Sequence, residues 1–161
     1  MTELRLRPVT AAEFDAWRAR LIPGYAADKV HAGDWSAAEA ERVATEQTDS
    51  LLPAGAETPG MLLLAAETPD GERVGVVWVA LDRDRPGAAW IYDIEVHPEH
   101  RGKGYGRALL QAAEHYSAQH GATEIGLNVF GPNAVARSLY ESSGYEITAI
   151  NMRKRLAGQD G

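Results

Sequence analysis

Apolar and polar residues follow regular periods along the first part of the chain. The first apolar residues alternate with charged ones, which predicts a half-buried strand over residues 3–7. Thr10 and Glu13 form a capping-box pattern, and the apolar residues after them recur at helical spacing. This pattern predicts a helix over residues 11–22, which Pro23-Gly24 would end.

A second helix and an intervening loop are expected next. Ser36 and Glu39 repeat the capping-box pattern and predict a helix over residues 37–49. Residues 23–35, between the two helices, are too mixed in character for a regular element. They are therefore predicted to form a loop, and loops held by rigid elements often carry recognition.

Three largely apolar runs occupy the middle of the chain. They cover residues 61–66, 74–81 and 88–96, and turn residues separate them. Short turns join strands that pair antiparallel. The three runs therefore predict three consecutive antiparallel strands.

The second half of the chain alternates helices with strands. Apolar residues at helical spacing predict a helix over residues 104–120, and alternation predicts a strand over residues 125–129. Another helix begins at Pro132-Asn133 and ends at Gly144, and residues 145–156 are predicted to form the last strand. The fold class is therefore an α/β sandwich. The strands before and after the first of these helices should be parallel, because a helix crosses between them.

Composition indicates one ordinary globular domain. The 161 residues carry 16 Lys and Arg against 23 Asp and Glu, a net charge of −7. This length suits a single domain over residues 1–161, in which residues 157–161 are expected to be a frayed tail. The chain has no cysteine, which excludes a disulfide framework, a thiolate zinc site and a cysteine nucleophile.

Charge and hydropathy limit the partners. The acidic balance argues against a nucleic acid, which needs Lys and Arg to replace its counterions. The apolar runs are too short to span a membrane and the first residues lack the core of a signal peptide, so a cytoplasmic protein is expected. No metal is expected, because no third ligand joins the histidine pairs and solvated side chains are favoured for His97, His100, His115 and His120. Three tryptophans at periodic apolar positions are expected in the core, namely Trp17, Trp78 and Trp90.

Glycines and cations meet where the strand over 88–96 gives way to the following helix. The segment reads Arg101-Gly102-Lys103-Gly104-Tyr105-Gly106-Arg107. Glycine permits close approach of a ligand to the backbone, and the first amides of a helix have no intrahelical partner. Such a turn suits a phosphate. It is neither a Walker motif, because Gly104 follows Lys103, nor a dinucleotide fingerprint, because its third glycine is missing.

The segment resembles the Gln/Arg-x-x-Gly-x-Gly/Ala signature of the GCN5-related N-acetyltransferase (GNAT) superfamily, which Arg101, Gly104 and Gly106 meet in full. Residues 91–98 resemble that family's fourth strand, and residues 133–145 resemble its fourth helix and closing strand. The resemblance implies a mixed, mostly antiparallel sheet of about six to seven strands. Its fourth and fifth strands would be a parallel pair, accompanied by about four helices.

The same resemblance implies acetyl-CoA as the acetyl donor. It places the thioester where the fourth and fifth strands diverge, with its carbonyl near a backbone N–H of the fourth strand, and it gives Tyr140 as the acid for the leaving thiolate. The residues implied to bind the donor are Ile94, Glu95, Val96, Arg101, Gly102, Lys103, Gly104, Tyr105, Gly106, Arg107, Asn133 and Tyr140.

Aminolysis of a thioester requires that the protonated amine lose a proton before it attacks. Glu95 and Asp93 are the candidate bases, because residues two apart on a strand face the same side. A water chain or a purely structural salt bridge is an equal alternative. The aromatic and histidine residues of the predicted 23–35 loop lie where the family shapes its acceptor pocket, and they are Tyr25, His31 and Trp35.

The sequence thus predicts an N-acetyltransferase that transfers acetyl directly from acetyl-CoA to a primary amine. The alternative is a non-catalytic acyl-CoA-binding sensor or interaction module of the same fold. The acceptor stays open among polyamines, aminoglycosides, amino acids and peptide or protein amines. A homodimer through the sheet edge or the last strand is a further expectation.

Overall fold

The computed structural model of the protein describes residues 3–158, so residues 159–161 of the predicted tail lie outside the described part. The chain forms two compact units, one that ends at Phe130 and one that begins at Gly131. The expectation of a single domain stays a prediction. None of the helices in residues 3–158 is long and apolar enough to cross a membrane.

A mixed sheet and three α-helices make up residues 3–130. The strands are β1 (Arg5–Pro8), β2 (Met61–Glu67), β3 (Arg73–Leu81), β4 (Ala88–Val96) and β5 (Glu124–Leu127). The helices are α1 (Ala11–His31), α2 (Ala40–Leu51) and α3 (Tyr105–Gln119). Strands β1 to β4 pair antiparallel in chain order, and β4 pairs with β5 in parallel. This pairing confirms both the antiparallel strands and the parallel pair that the sequence predicts.

Helices α1 and α3 cover opposite faces of this sheet. Val76 and Trp78 of β3 pack in one buried cluster with Trp17 of α1. A Cβ atom added to Gly75 would instead meet Leu109 of α3 at 3.1 Å. Because successive strand residues point to opposite faces, β3 is covered by α1 on one side and by α3 on the other.

The capping box predicted at the start of α1 is present. The Glu13 amide donates to Thr10 Oγ1 at 3.1 Å, and the Thr10 amide donates to Glu13 Oε1 at 2.8 Å. Arg7 of β1 also donates to Glu13, at 2.8 Å, and to Glu67 of β2, at 2.7 Å. The Arg7 guanidinium holds the pKa of the Glu13 carboxyl well below its usual range. One carboxylate thereby ties β1 to the first turn of α1.

Helix α1 continues well beyond its predicted end, so most of the predicted loop over 23–35 is helical. Pro23 lies inside the helix, where it removes one backbone hydrogen bond. Ile22 and Ala26, on either side of it, are buried against Ala40 and Ala44 of α2. Burial against a neighbouring helix thus outweighs the local tendency of Pro23 to end α1.

The second predicted capping box is wrong. Helix α2 begins at Ala40, and Glu39 at its N-cap makes no capping hydrogen bond through its side chain. The Glu39 carboxylate instead accepts from Arg42, one turn further along. Ser36 contributes only its backbone carbonyl, which accepts from the amides of Glu39 and Ala40.

The second unit contains helix α4 (Ala134–Ser142), followed within the described residues by irregular chain up to residue 158. The predicted last strand over 145–156 is therefore wrong, and the described residues form five strands rather than six to seven. Ile147, Ile150 and Met152 are exposed in this segment, and their spacing departs from strict alternation. Without a consistently buried face, the β-propensity of these residues does not suffice for a strand.

Two glycine substitutions test this packing, because one should lower the free energy of unfolding and the other should raise it. Gly75→Ala should lower the free energy of unfolding by about 1–3 kcal/mol, because its Cβ would lie 2.4 Å from the Glu95 carbonyl oxygen. Gly24→Ala should raise it by about 0.5–1 kcal/mol, because a Cβ there meets nothing within 4 Å. Urea unfolding measures both. A destabilised Gly24→Ala protein would contradict a continuous α1.

Candidate active site

Strand β4 runs past the end of its pairing with β5. The parallel pairing ends at Ile91 and Leu127, whereas β4 continues to Val96. Within the described residues, the last part of β4 is thus paired only with β3. The register with β3 also shifts here, because Trp78 and Val79 lie opposite Asp93 and Ile91. Tyr92 is therefore the extra residue of a β-bulge, a feature that redirects side chains.

A cavity of about 450 Å³ lies beside this part of β4, entirely within the first unit. Residues of α1, α2, β3, β4 and the segment after β5 line it: Arg20, Leu21, Gly24, Tyr25, Asp28, Lys29, Gln47, Thr48, Leu51, Trp78, Trp90, Ile91, Tyr92, Asp93, Glu95, Asn128 and Phe130. The volume suits a small organic ligand. Its wall combines aromatic rings with carboxylates, and the two candidate bases are among those carboxylates.

Asp93 is held by the core of the first unit. The indole Nε1 of Trp17 donates to Asp93 Oδ2 at 3.0 Å, and the Trp17 side chain is only 1% exposed. Burial raises the pKa of Asp93 to about 6, a rise to which the Glu95 charge adds and which the Trp17 hydrogen bond opposes. A carboxyl group with this pKa is ionised at neutral pH and can still accept a proton.

Glu95 already has a cation as its partner. Its Oε1 accepts from Arg20 Nε at 3.2 Å and lies 3.4 Å from His97 Nδ1. Asp93 and Glu95 thus both line the cavity, as the sequence predicts for residues two apart. Glu95, however, forms a salt bridge with Arg20, which agrees with the alternative that this carboxylate has a purely structural role.

Two exposed rings of β4 form part of the cavity wall. Trp90 is 41% exposed, so its predicted place in the core is wrong, whereas Trp17 and Trp78 are buried as expected. The Trp90 ring lies against β5 at Gly126, where an added Cβ would be 3.0 Å from the ring. Tyr92 stacks on Trp78, with 4.6 Å between the ring centroids.

The three candidate acceptor residues are only partly brought together. Tyr25 is on α1 and lines the cavity, and its ring meets Trp35 edge-on at 5.4 Å. His31, at the end of α1, is exposed and is not among the lining residues. Lys29 Nζ lies 5.5 Å from the centroid of the Trp35 ring and 3.3 Å from Asp34 Oδ2.

Sequence reasoning missed several lining residues because it ended α1 too early. Arg20, Gly24 and Asp28 recur every four residues, which places them on one face of a continuous helix. That spacing is a signal in the sequence, and the Pro23-Gly24 pair conceals it. Lys29, Asn128 and Phe130 carry no comparable signal.

The glycine-rich segment forms a turn that ends at the first residue of α3. Gly102 and Gly104 have φ values of 75° and 84°, in the left-handed region that favours glycine. Gly104 is the N-cap of α3, and no side chain caps the first amides of the helix there. The side chains around these amides are cationic and exposed, namely Arg101, Lys103 and Arg107. Arg101 Nε donates to the Val96 carbonyl oxygen at 3.1 Å, which links the turn to the end of β4.

The histidines do not form a metal site in the described part of the chain, where no group of three or more potential ligands occurs. His100 is buried rather than solvated, which corrects the prediction. Its Nε2 lies 3.3 Å from Glu72 Oε1, and its ring meets Tyr105 edge-on at 5.9 Å. This histidine thus packs against Tyr105 of the glycine-rich segment.

In the second unit, Asn133 and Tyr140 both belong to α4. Asn133 is the N-cap, and its Oδ1 accepts from the Ala136 amide at 3.1 Å. Tyr140 is half-buried, and its ring centroid lies 5.8 Å from that of Tyr145. A structural role is therefore evident for Asn133, and donor binding by either residue stays a prediction.

Comparison with known proteins adds independent evidence. The profile of the Acetyltransferase (GNAT) family matches residues 25–145. The uncharacterized N-acetyltransferase YycN of Bacillus subtilis is 32% identical over 95% of this chain and 99% of its own length. The crystal structure of YycN superposes with a TM-score of 0.91, covering 95% of this chain and 98% of that one.

Other similar proteins include an acetyltransferase of stated specificity and a protein of the same fold. Mycothiol acetyltransferase of Kocuria rhizophila is 39% identical over 60% of this chain, which corresponds to 33% of its own length. AAC(6')-Iy, solved with a CoA-containing bisubstrate analog, shares the fold at a TM-score of 0.60. It is 19% identical and covers 96% of this chain and 100% of its own. The family profile and the YycN match together establish that this chain belongs to the GNAT acetyltransferase family.

Proposed function

We propose that the protein is an acetyl-CoA-dependent N-acetyltransferase that acts on a primary amine. One observation carries the proposal: a cavity lined by Asp93 and Glu95 lies where β4 leaves β5, and the same strand leads into the basic glycine turn. Strand β4 would thus help to bind the amine, and the segment that follows β4 would bind the phosphate.

Acetyl-CoA supplies a thioester, an activated acetyl group with a thiol as its leaving group. The turn over residues 101–107 fits the donor's pyrophosphate, because Gly102 and Gly104 keep the backbone uncovered and a Cβ at either meets nothing within 4 Å. The first amides of α3, Lys103 and Arg107 would bind its charge. Ile94, Glu95 and Val96 lie in the part of β4 that is paired only with β3, and those of their backbone N–H groups that face away from β3 would bind its acyl arm.

The chain's own groups would move the protons. Transfer forms the N–C bond of an amide and breaks the C–S bond of the thioester, so the amine loses a proton and the thiolate gains one. We assign the first role to Asp93 rather than Glu95, because Glu95 is paired with Arg20. We assign the second to Tyr140, on its match to the family motif, and Asn133 to donor binding on the same ground.

Donor binding is tested by comparing two glycines of equal strain. Gly104 and Gly71 have φ values of 84° and 86°, and a Cβ at either meets nothing within 4 Å. Gly104→Val and Gly71→Val should lower the melting temperature similarly. Acetyl-CoA at one hundred times its dissociation constant stabilises a folded protein by about 2.7 kcal/mol. That gain should survive in Gly71→Val and be lost in Gly104→Val, and thermal melts measure it. An equal gain in both would contradict the turn as the phosphate site.

Substitution of Asp93 should separate activity from stability. The Asp93 pKa of about 6 exceeds its ordinary value of 3.8, so this group's stabilising contribution is complete below pH 4 and is lost as the pH rises through 6. Asp93→Asn should therefore raise the free energy of unfolding at pH 7.5 by about 1–3 kcal/mol, while kcat/KM falls. In the wild type, kcat/KM should fall below pH 6.

Chemical unfolding at several pH values and a pH profile of kcat/KM test this expectation. Glu95→Gln is the matched comparison, since both carboxylates line the cavity. If the acid limb of the profile disappears in Glu95→Gln and persists in Asp93→Asn, Glu95 is the base and the assignment of Asp93 is wrong.

Tyr140→Phe distinguishes an enzyme from a non-catalytic binder. The variant should retain acetyl-CoA affinity and lose kcat by about 10²–10⁴-fold, the usual contribution of a general acid. Tyr145→Phe, which removes the hydroxyl group from the ring packed against Tyr140, is the control and should stay active. Calorimetry of donor binding and thiol release measure the two effects. Equal turnover in both variants would contradict the role of Tyr140.

A further inference from the structure

The cavity carries two exposed rings that the proposed chemistry leaves unused. Trp90 and Tyr92 are 41% and 43% exposed, and they are the exposed large hydrophobic side chains of the described residues up to Phe130. Both line the cavity. Large apolar side chains that remain in contact with water beside a cavity mark a binding surface.

Each of these rings is fixed by its own neighbour. The Trp90 ring covers Gly126, where even a methyl group would lie only 3.0 Å from two of its carbon atoms. The Tyr92 ring stacks on the buried Trp78 ring, with 28° between their planes. A ligand that packs on Trp90 and Tyr92 therefore needs to order little of the protein.

Two of the other rings at the cavity already have a cation of the chain beside them, and the third, Trp78, is buried and stacked on Tyr92. Lys29 Nζ lies 5.8 Å from the centroid of the Tyr25 ring and 5.7 Å from that of Phe130. These distances are typical of cation–π interactions. Trp90 and Tyr92 are thus the rings that an acceptor would meet.

Charge in the cavity suits an acceptor with a single positive group. Its two cations are paired, Arg20 with Glu95 at 3.2 Å and Lys29 with Asp34 at 3.3 Å. An acceptor carboxylate would compete with those pairs. Two other carboxylates line the cavity. Asp28 is exposed, and an ion pair at an exposed carboxylate contributes little to binding. Asp93 is half-buried. Asp93 can therefore serve one ammonium group.

Some polar side chains of the cavity are also engaged within the chain. Gln47 Oε1 accepts from the Tyr25 hydroxyl at 3.2 Å, and the buried Thr48 hydroxyl donates to the Ala44 carbonyl oxygen at 2.8 Å. An acceptor rich in hydroxyl groups would lose hydrogen bonds to water and regain few here.

We propose that the acceptor is an arylalkylamine, a monoamine whose flat aromatic group packs on Trp90 and Tyr92 while its amine lies at Asp93. This inference rests on the proposed function, because it names the substrate class of the same site. The transfer itself would be the one described above, with the amine's proton passing to the chain and an amide as the product.

The decisive comparison uses amines that differ in shape or charge alone. Phenethylamine and cyclohexylethylamine have the same carbon skeleton, but only the first is flat, and putrescine is a linear diamine. Calorimetry in the presence of saturating CoA, which carries no acetyl group, measures binding separately from turnover. Phenethylamine should bind about three- to tenfold more tightly than cyclohexylethylamine, and more tightly than putrescine.

Variants should show where this preference resides. Trp90→Ala should abolish the difference between phenethylamine and cyclohexylethylamine, and Tyr92→Leu serves as the second variant if Trp90→Ala unfolds. Tyr116→Ala, which removes a ring of α3 stacked on His120 outside the cavity lining, is the control and should retain the difference.

The outcomes separate this inference from the proposed function. Selective binding of phenethylamine without acetylation would support the aromatic binding site and contradict the proposed acetyltransferase activity. Acetylation that favours putrescine or cyclohexylethylamine would support the enzyme and overturn the arylalkylamine acceptor. Failure of phenethylamine to bind, or an unchanged preference in both ring variants, would overturn the inference as well.

Discussion

The hydrogen bond between the Trp17 indole and the Asp93 carboxylate joins the core of the first unit to its candidate site. Trp17 is almost wholly buried and packs edge-on against Trp78, with 5.5 Å between the ring centroids. It therefore fixes α1 on the sheet and Asp93 beside the cavity at once. Loss of this side chain would leave both a large void and a half-buried carboxylate without its indole donor, and each is costly. The position of the proposed base and the packing of α1 are thus one constraint.

Elements whose buried face has a strict period could be predicted from sequence alone. Strands β2, β3 and β4 are largely apolar runs between turn residues, and their bounds lie close to the prediction. The glycine-rich turn was also predictable, because the left-handed φ of Gly102 and Gly104 follows from a chemical property of glycine. In both cases the local sequence is sufficient to determine the local conformation. The Thr10 and Glu13 capping box belongs to the same class.

The rest depends on contacts between distant residues. Helix α1 passes Pro23 because Ile22 and Ala26 are buried on α2, and no local pattern reports that burial. Trp90 occupies a periodic apolar position, yet the cavity beside β4 leaves its ring exposed. Residues 145–156 have the composition of a strand without strand pairing in the described structure. Periodicity predicts which residues can be buried, whereas the partner that buries them is decided by the fold.

The departures from local rules in the first unit are concentrated on β4. Tyr92 interrupts the register, Trp90 exposes an indole, Asp93 keeps a carboxylate in surroundings that raise its pKa, and the strand continues beyond its parallel partner. Each departure costs stability, while β2 and β3 pair regularly along most of their length. Scattered through the sheet, such defects would only weaken it. Because they surround one cavity and precede one glycine-rich turn, they are better explained by the proposed binding and proton transfer than by tolerance of poor packing.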